Sequence, residues 1–303
     1  MAMTATSAAL RTFYHFPSRI IYGTKPREPL AAAGPAERLV FLLLNQRIST
    51  SDSLFTRLWR RAHLRICADG AANRLYNAFH QANPLVVPDR PTNQLPQRKP
   101  ATSTTLRAML TVAETSSHTN QYIPEAICGD LDSVLPDVEH YFSHHQTVVH
   151  YVDDQDTTDF MKNLLWLDDL EQRHGDATDP AKSTVIAYGG LGGRLDQSMS
   201  SLYVLYNYGA QRPIYLLSEE SIALLLLPGV NHVECDWFDQ SPACGILPIG
   251  VTSATVTTQG LRWNLNNAQT SFSGLLSTSN IVDKPVVVVT TTDPLIWTVE
   301  VRK

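Results

Sequence analysis

Three apolar runs without alternation, Arg38 to Leu44, Leu64 to Ala68 and Ser183 to Tyr188, narrow what this chain can fold into more than anything else in it. A strand wetted on one face alternates apolar and polar residues, whereas a continuous apolar run needs cover on both faces, which helices flanking a parallel sheet supply. Segments of helical length and mixed character, Ser53 to Ala62, Ala71 to Phe79, Thr158 to Leu170 and Leu195 to Tyr208, are interspersed with such runs, as in βαβ units. The expectation is a mostly parallel, Rossmann-like α/β domain over residues 36–228. Two stretches break the rhythm. Residues 83–105, rich in Pro, Gln and Thr with little apolar content, read as a surface insertion. From about residue 229, short β-rich runs such as Gly250 to Thr258, Ala268 to Phe272 and Pro285 to Thr291 alternate with turns. They predict a smaller all-β second domain over 229–303, a sandwich or an open barrel.

Bulk properties exclude several functions. At 303 residues the chain lies near the size at which one core splits, so two domains fit. Apolar residues at 43%, charged residues at 17% and a formal charge of -5, with no basic stripe, argue against nucleic acid as the main partner. No apolar run approaches the roughly 18 residues of a membrane span, and the longest, Ile222 to Pro228, has the length of a strand. Cys67, Cys128, Cys235 and Cys244 are dispersed without a C-x-x-C pair, so neither a zinc site nor a disulfide framework is expected and a reducing, cytoplasmic compartment fits best. Residues 1–35 read as a disordered N-terminal extension; the excess of Arg11, Arg19, Lys25 and Arg27 over Glu28 leaves an organellar leader as the alternative.

Acids gather where the strands end. Asp69, the pair Asp130 and Asp132, the group Asp154, Asp156 and Asp159, and Asp196 each come after a strand-like run. In a parallel sheet the carboxyl ends of the strands form one edge, so the four clusters can converge on one crevice. Carboxylates without matching bases usually hold a hard cation such as Mg²⁺, which bridges them to phosphate oxygens. Asp69 is either such a group or the N-cap of the next helix. In an extended segment Asp130 and Asp132 project to the same side, and Ser133 can cap the segment after it. A helix beginning near Thr157 sets Asp159 and Lys162 on one face, an acid for metal and a cation for phosphate, with Asp156 as the alternative N-cap.

Gly189-Gly190-Leu191-Gly192-Gly193-Arg194-Leu195-Asp196-Gln197 stands between a strand and a helix. Its glycines let backbone N–H groups approach phosphate, and Arg194 adds a bidentate fork; the bland alternative is a tight turn. The Walker ending is missing and Leu195 stands where a dinucleotide motif needs glycine, which disfavours NAD. His140, His144, His145 and His150 read as part of a solvated surface rather than a metal site.

In this order and spacing, Cys67 to Leu75, Gly129 to Ser133, Asp154 to Phe160 and Gly189 to Gln197 resemble the eukaryotic thiamine pyrophosphokinases. The likeness continues through Leu217 to Ser221, Cys244 to Gly250, Gly260 to Leu265, Ser277 to Asn280 and Asp293 to Thr298, covering about residues 36 to 301. It implies transfer of the pyrophosphoryl group of ATP to the hydroxyl of thiamine, with Mg²⁺ as cofactor, by an ATP- and Mg-binding domain followed by a thiamine-binding β-domain. On this reading Asp130, Asp132 and Asp159 take Mg²⁺, and Arg194 with Gly190, Gly192 and Gly193 takes phosphate. Asp69, Asn73, Lys162 and Gln197 help place ATP. Asp196 orients or deprotonates the hydroxyl, or is a further metal carboxylate. The resemblance also implies a homodimer with thiamine in a cleft between subunits, lined by Gln155, Trp263, Ser277, Ser279 and Asn280. Trp263 could instead belong to the β-domain core. Two rivals stand beside it: a phosphatase of the haloacid dehalogenase type, from the D-x-D of Asp130 and Asp132, and a thiamine-binding sensor without turnover.

Overall fold

The computed structural model describes residues 10–22, 38–49, 53–80, 122–174, 182–236 and 241–301. These fall into two units, one within 38–219 and the other joining 10–22 to 220–301. The predicted insertion at 83–105 lies outside the described residues. In chain order the elements begin with β1 (Thr12–His15) and α1 (Pro17–Tyr22). The α/β unit comes next with β2 (Leu39–Leu43), α2 (Ser53–Arg61), β3 (Leu64–Ala68), α3 (Ala71–Phe79), β4 (Ala126–Gly129) and α4 (Pro136–His144). It continues with β5 (Val148–Tyr151), α5 (Asp159–His174), β6 (Thr184–Tyr188), α6 (Leu195–Tyr208) and β7 (Ile214–Leu217).

The α/β sheet is parallel throughout its six strands, in the order β7-β6-β2-β3-β4-β5. The apolar runs sit in its middle: every residue of β2, β4, β6 and β7 is buried, as a strand covered on both faces requires. Against this sheet Phe41 packs edge-on to Phe55 and Trp59, and Phe55 packs edge-on to Tyr188, centroids 5.2–5.5 Å apart. Such pairs add about 0.5–1.5 kcal/mol each beyond their area. From β2 the chain moves through β3, β4 and β5 to one side and then crosses to β6 and β7 on the other. The order therefore reverses between β2 and β6, where open α/β sheets keep their ligand crevice.

The second unit adds β8 (Ser221–Leu226), β9 (Gly229–Glu234), β10 (Ala243–Leu247), β11 (Ala254–Gln259), β12 (Ala268–Thr270), β13 (Ser277–Ile281), β14 (Val286–Thr291) and β15 (Leu295–Glu300). Two sets of strands, β1-β9-β14-β11-β12 and β13-β10-β15-β8, build it. Alternating burial along β11 and β14 is the mark of strands with one covered face, and the two sets belong to separate sheets, which favours the sandwich over the barrel. Its first strand is Ser221–Leu226, eight residues before the boundary expected at 229, because β8 pairs antiparallel with β15 from Ser221 to Leu226. The N-terminal reading is corrected as well. Within the supposed extension, β1 pairs in parallel with β9 over Thr12–His15, and Ile20 and Ile21 are fully buried.

Candidate active site

Every strand of the α/β unit that ends in a predicted acid points its carboxyl end to the same edge, because the sheet is parallel. Asp69 comes after β3, Asp130 after β4, and Asp159 opens α5 after β5. One carboxylate oxygen from each lies within 4.8 Å of the others, the only such group of metal-capable side chains among the described residues. Gly129 permits this convergence, since a Cβ there would stand 2.8 Å from the Cβ of Asp69 and 3.3 Å from Oδ1 of Asp159.

Asp69 is 3% exposed, and its Oδ1 has no hydrogen-bond partner. It is not the helix cap: α3 is capped by Gly70, and Asp69 sits at φ 43°. Burial, reinforced by the charge of Asp159, pushes its carboxyl up to about 6. Asp159 is raised by burial, against the pull of the Lys162 ammonium. For Asp130 burial is the largest single influence and works against the charge, but the hydrogen bond and charge of Lys162 together with the hydrogen bonds from Asp132 outweigh it and hold the carboxyl below its ordinary range. Lys162 Nζ donates to Asp130 Oδ2 at 2.6 Å and to Asp159 Oδ1 at 3.3 Å, so the predicted phosphate cation is spent on the carboxylates. Only Thr158, not Asp156, caps α5, accepting from the N–H of Met161 at 3.3 Å.

Asp132 does not join the group. Leu131 is buried at φ 58°, which breaks the extended path that would have set Asp130 and Asp132 on one side. Asp132 instead accepts from Ser133 Oγ at 2.8 Å, and Ser133 caps nothing; the cap of α4 is Leu135. Asn73 spends its amide on this loop, donating to the carbonyl of Ser133 at 2.7 Å and accepting from the N–H of Leu135 at 3.0 Å. Gln155, expected on the thiamine side, donates to Asp130 Oδ2 at 3.3 Å. Asp154 closes a turn by accepting from the N–H of Asp156 at 2.8 Å and from Thr157. The four histidines contribute to no metal-capable group among the described residues; His145 bonds the Tyr141 carbonyl and His150 stacks on Trp166.

Across the reversal of strand order stands the glycine loop. Gly193, at φ 66°, leaves a space that a Cβ would fill at 2.4 Å from Gln46 Oε1, and Gln46 Nε2 donates to the carbonyl of Gly192 at 3.0 Å. Gly190, just past β6, is buried against Leu216, and Gln197 is exposed in the first turn of α6. Arg194 forks onto Asp196, Nε to Oδ1 at 3.1 Å, with both side chains exposed. That hydrogen bonding holds the Asp196 carboxyl below its ordinary value. Sequence reasoning missed Gln46 and Asn163. Asn163, 1% exposed, donates to the carbonyls of Cys128 at 3.0 Å and Asp159 at 2.7 Å, tying β4 to the start of α5. Both carry the signal that found the acids: a polar side chain at a strand end or on a helix face that should be apolar.

In the β-rich unit Trp263 is 59% exposed, so it is not core, and the Arg262 guanidinium lies 5.9 Å from its ring centre. Asn280 is buried and clamps the backbone of Trp263 in both directions, accepting from its N–H at 3.2 Å and donating to its carbonyl at 2.8 Å. Ser277 is buried, whereas Ser279 is exposed at φ 56°.

Asp69→Asn is the sharpest electrostatic test of this cluster. An acid whose folded pKa is raised binds its proton more tightly in the folded state, so its penalty is full above about pH 6 and fades as pH falls towards 3.8. Without added metal the variant is therefore expected to be more stable than wild type at pH 7.5, with the gain vanishing near pH 4. Urea unfolding at both pH values checks this, and a variant less stable at pH 7.5 would refute it.

Carboxylates and a glycine loop along the carboxyl edge of a parallel sheet, carried with a β-rich unit on one chain, define an α/β enzyme of phosphotransferase type. The thiamin pyrophosphokinase catalytic domain matches residues 55–216, and the thiamin pyrophosphokinase vitamin B1 binding domain matches residues 233–296. The chain is 34% identical over 280 residues to thiamine pyrophosphokinase 1 of Oryza sativa subsp. japonica, covering 92% of this chain and 93% of that one. It is 36% identical over 266 residues to thiamine pyrophosphokinase 3 of the same plant, 86% of each. The crystal structure of yeast thiamin pyrophosphokinase shares the fold at a TM-score of 0.70 and 24% identity, covering 99% of this chain and 94% of that one. The chain belongs to the thiamine pyrophosphokinase family.

Proposed function

We propose that this protein makes thiamine diphosphate by transferring the pyrophosphoryl group of ATP to the hydroxyl of thiamine, with release of AMP. The hydroxyl oxygen bonds to the β-phosphorus, the bond from that phosphorus to the α-phosphate oxygen breaks, and the hydroxyl proton leaves. The observation that carries this reading is the group of Asp69, Asp130 and Asp159, with one buried carboxylate oxygen left without a partner. A buried anionic oxygen with no donor is costly unless a cation completes it, and three convergent carboxylate oxygens suit Mg²⁺. Asp69, Asp130 and Asp159 would hold the ion, with Asp132 outside the set; bound there, Mg²⁺ neutralises phosphate charge. Lys162 keeps the carboxylates charged and in place, because its ammonium favours the ionised form of both Asp130 and Asp159. Arg194 and the glycine loop face phosphate, and Asp196, held low by Arg194, serves as an acceptor that aligns the thiamine hydroxyl rather than as a strong base. Formation of AMP and thiamine diphosphate in equal amounts from ATP, Mg²⁺ and thiamine tests the reading; a purified protein that binds both substrates without product would sink it.

Thiamine, a cationic thiazolium joined to a flat aminopyrimidine, suits the exposed face of Trp263. Trp263→Ala is expected to raise the KM for thiamine about thirtyfold, with the KM for ATP unchanged, since a desolvated cation–π contact is worth about 2 kcal/mol. Equal KM values for thiamine in variant and wild type would remove Trp263 from the site. A cytoplasmic homodimer completes the proposal. Exposed Trp263, Phe272, Leu275 and Leu276 in one unit, and Leu195, Met199 and Tyr203 at i, i+4 and i+8 of α6 in the other, are apolar surface of the kind that subunits cover. All four cysteines are free and buried, which fits a reducing compartment. No helix among the described residues is long and apolar enough to cross a membrane. Sedimentation at twice the chain mass and cell fractionation check these two points.

A further inference from the structure

A nucleotide triphosphate needs cations, and the cations at this sheet edge are unevenly committed. Lys162 is held by Asp130 and Asp159, and Arg194 is held by Asp196. Arg74, exposed in the first turns of α3, is differently placed. Its Nε donates to Asn45 Oδ1 at 2.9 Å, and it pairs with no carboxylate among the described residues. A neutral amide fixes the direction of a guanidinium without cancelling its charge, which leaves the fork of terminal nitrogens for a planar or tetrahedral anion.

The surroundings of Asn45 tie Arg74 to the site. Asn45 lies just past β2, and its Nδ2 lies 2.8 Å from where a Cβ on Gly70 would stand, so Gly70 makes room for it beside Asp69. Its neighbour Gln46 holds the carbonyl of Gly192 in the glycine loop. The two residues at the end of β2 thus aim Arg74 with one amide and brace the glycine loop with the other, at the reversal of strand order. We infer that Arg74, oriented by Asn45, grips the polyphosphate of the nucleotide; the inference rests on the ATP-dependent reading above.

Calorimetric titration of the full chain with ATP and Mg²⁺, and separately with adenosine, tests it. Arg74→Gln is expected to weaken ATP binding about tenfold or more, the size of one lost charge-assisted hydrogen bond, and to leave adenosine binding and the KM for thiamine unchanged. Asn45→Asp, which places a carboxylate against Arg74, is expected to weaken ATP in the same way. Arg173→Gln is the control for general loss of positive charge, since Arg173 is exposed on α5 and paired with Asp169. Wild-type affinity for ATP in Arg74→Gln overturns the inference, as does an equal loss in Arg173→Gln or an equal loss for adenosine. A wild-type protein that binds no ATP overturns the reading beneath it instead.

Discussion

Asp130→Asn is expected to lower kcat/KM for thiamine diphosphate formation by about a hundredfold or more, the scale on which removing one preorganised electrostatic group from an active site slows a reaction. Asp130 is the hinge of the carboxylate group: it accepts from Lys162 at 2.6 Å and from Gln155 at 3.3 Å, and its oxygen completes the trio with Asp69 and Asp159. The amide keeps the shape but removes one negative charge and turns one oxygen into a donor facing Lys162. Two carboxylates then hold a divalent ion more weakly, so the variant is expected to need much more Mg²⁺ for half-maximal rate. Asp130 is only half-buried, and the change also relieves repulsion with Asp159, so thermal unfolding is expected within a few degrees of wild type. AMP and thiamine diphosphate are assayed across a Mg²⁺ series. A wild-type rate at low Mg²⁺ would take Asp130 out of the metal site.

The sheet was legible because burial on both faces leaves so plain a mark: Leu39 to Leu43 is apolar throughout, and Thr184 to Tyr188 only opens on one buried hydroxyl residue, Thr184. The acids were legible for a related reason, since each stands where an apolar run stops. What failed was local backbone geometry. One residue, Leu131 in the left-handed region, turns Asp132 away, and no periodicity argument sees a positive φ on leucine. Partners across long sequence separations were equally hidden. That Gln46 would brace Gly192, 146 residues on, depends on β2 and β6 being neighbours in the sheet, which spacing along the chain does not encode. Trp263 was ambiguous because a tryptophan in a β-rich segment fits core or surface alike; its exposure comes from the loop that Asn280 clamps. The N-terminus was misread because composition reports what a segment carries, whereas its order comes from the partner it finds in β9.

Removal of residues 1–22 is expected to abolish cooperative unfolding of the β-rich unit. Without β1 the outer edge of β9 loses its four-residue parallel ladder and exposes unpaired N–H and C=O groups. Ile20 and Ile21 are both 0% exposed, and each is worth about 2–5 kcal/mol by the cost of truncating a buried isoleucine. The third loss is electrostatic. Glu234, 1% exposed, accepts from Ser18 Oγ at 2.7 Å and from Arg19 Nε at 3.0 Å, and without them a buried carboxylate stands uncompensated, a loss of about 3–5 kcal/mol. Together these come to about 7–15 kcal/mol, as much as the total of about 5–15 kcal/mol that holds an ordinary domain folded. Single substitutions resolve the sum: Ile20→Ala is expected to lower Tm by roughly 5–15 °C, and Gly229→Ala to lower it too, because its Cβ would stand 2.4 Å from the Arg11 carbonyl oxygen and push β1 off the sheet. Leu10, 62% exposed, is the control, and Leu10→Ala is expected to change stability by no more than about 0.5 kcal/mol. A chain lacking residues 1–22 that melts with wild-type cooperativity and Tm would show that β9 needs no partner on that edge and that Glu234 finds its counter-charge elsewhere.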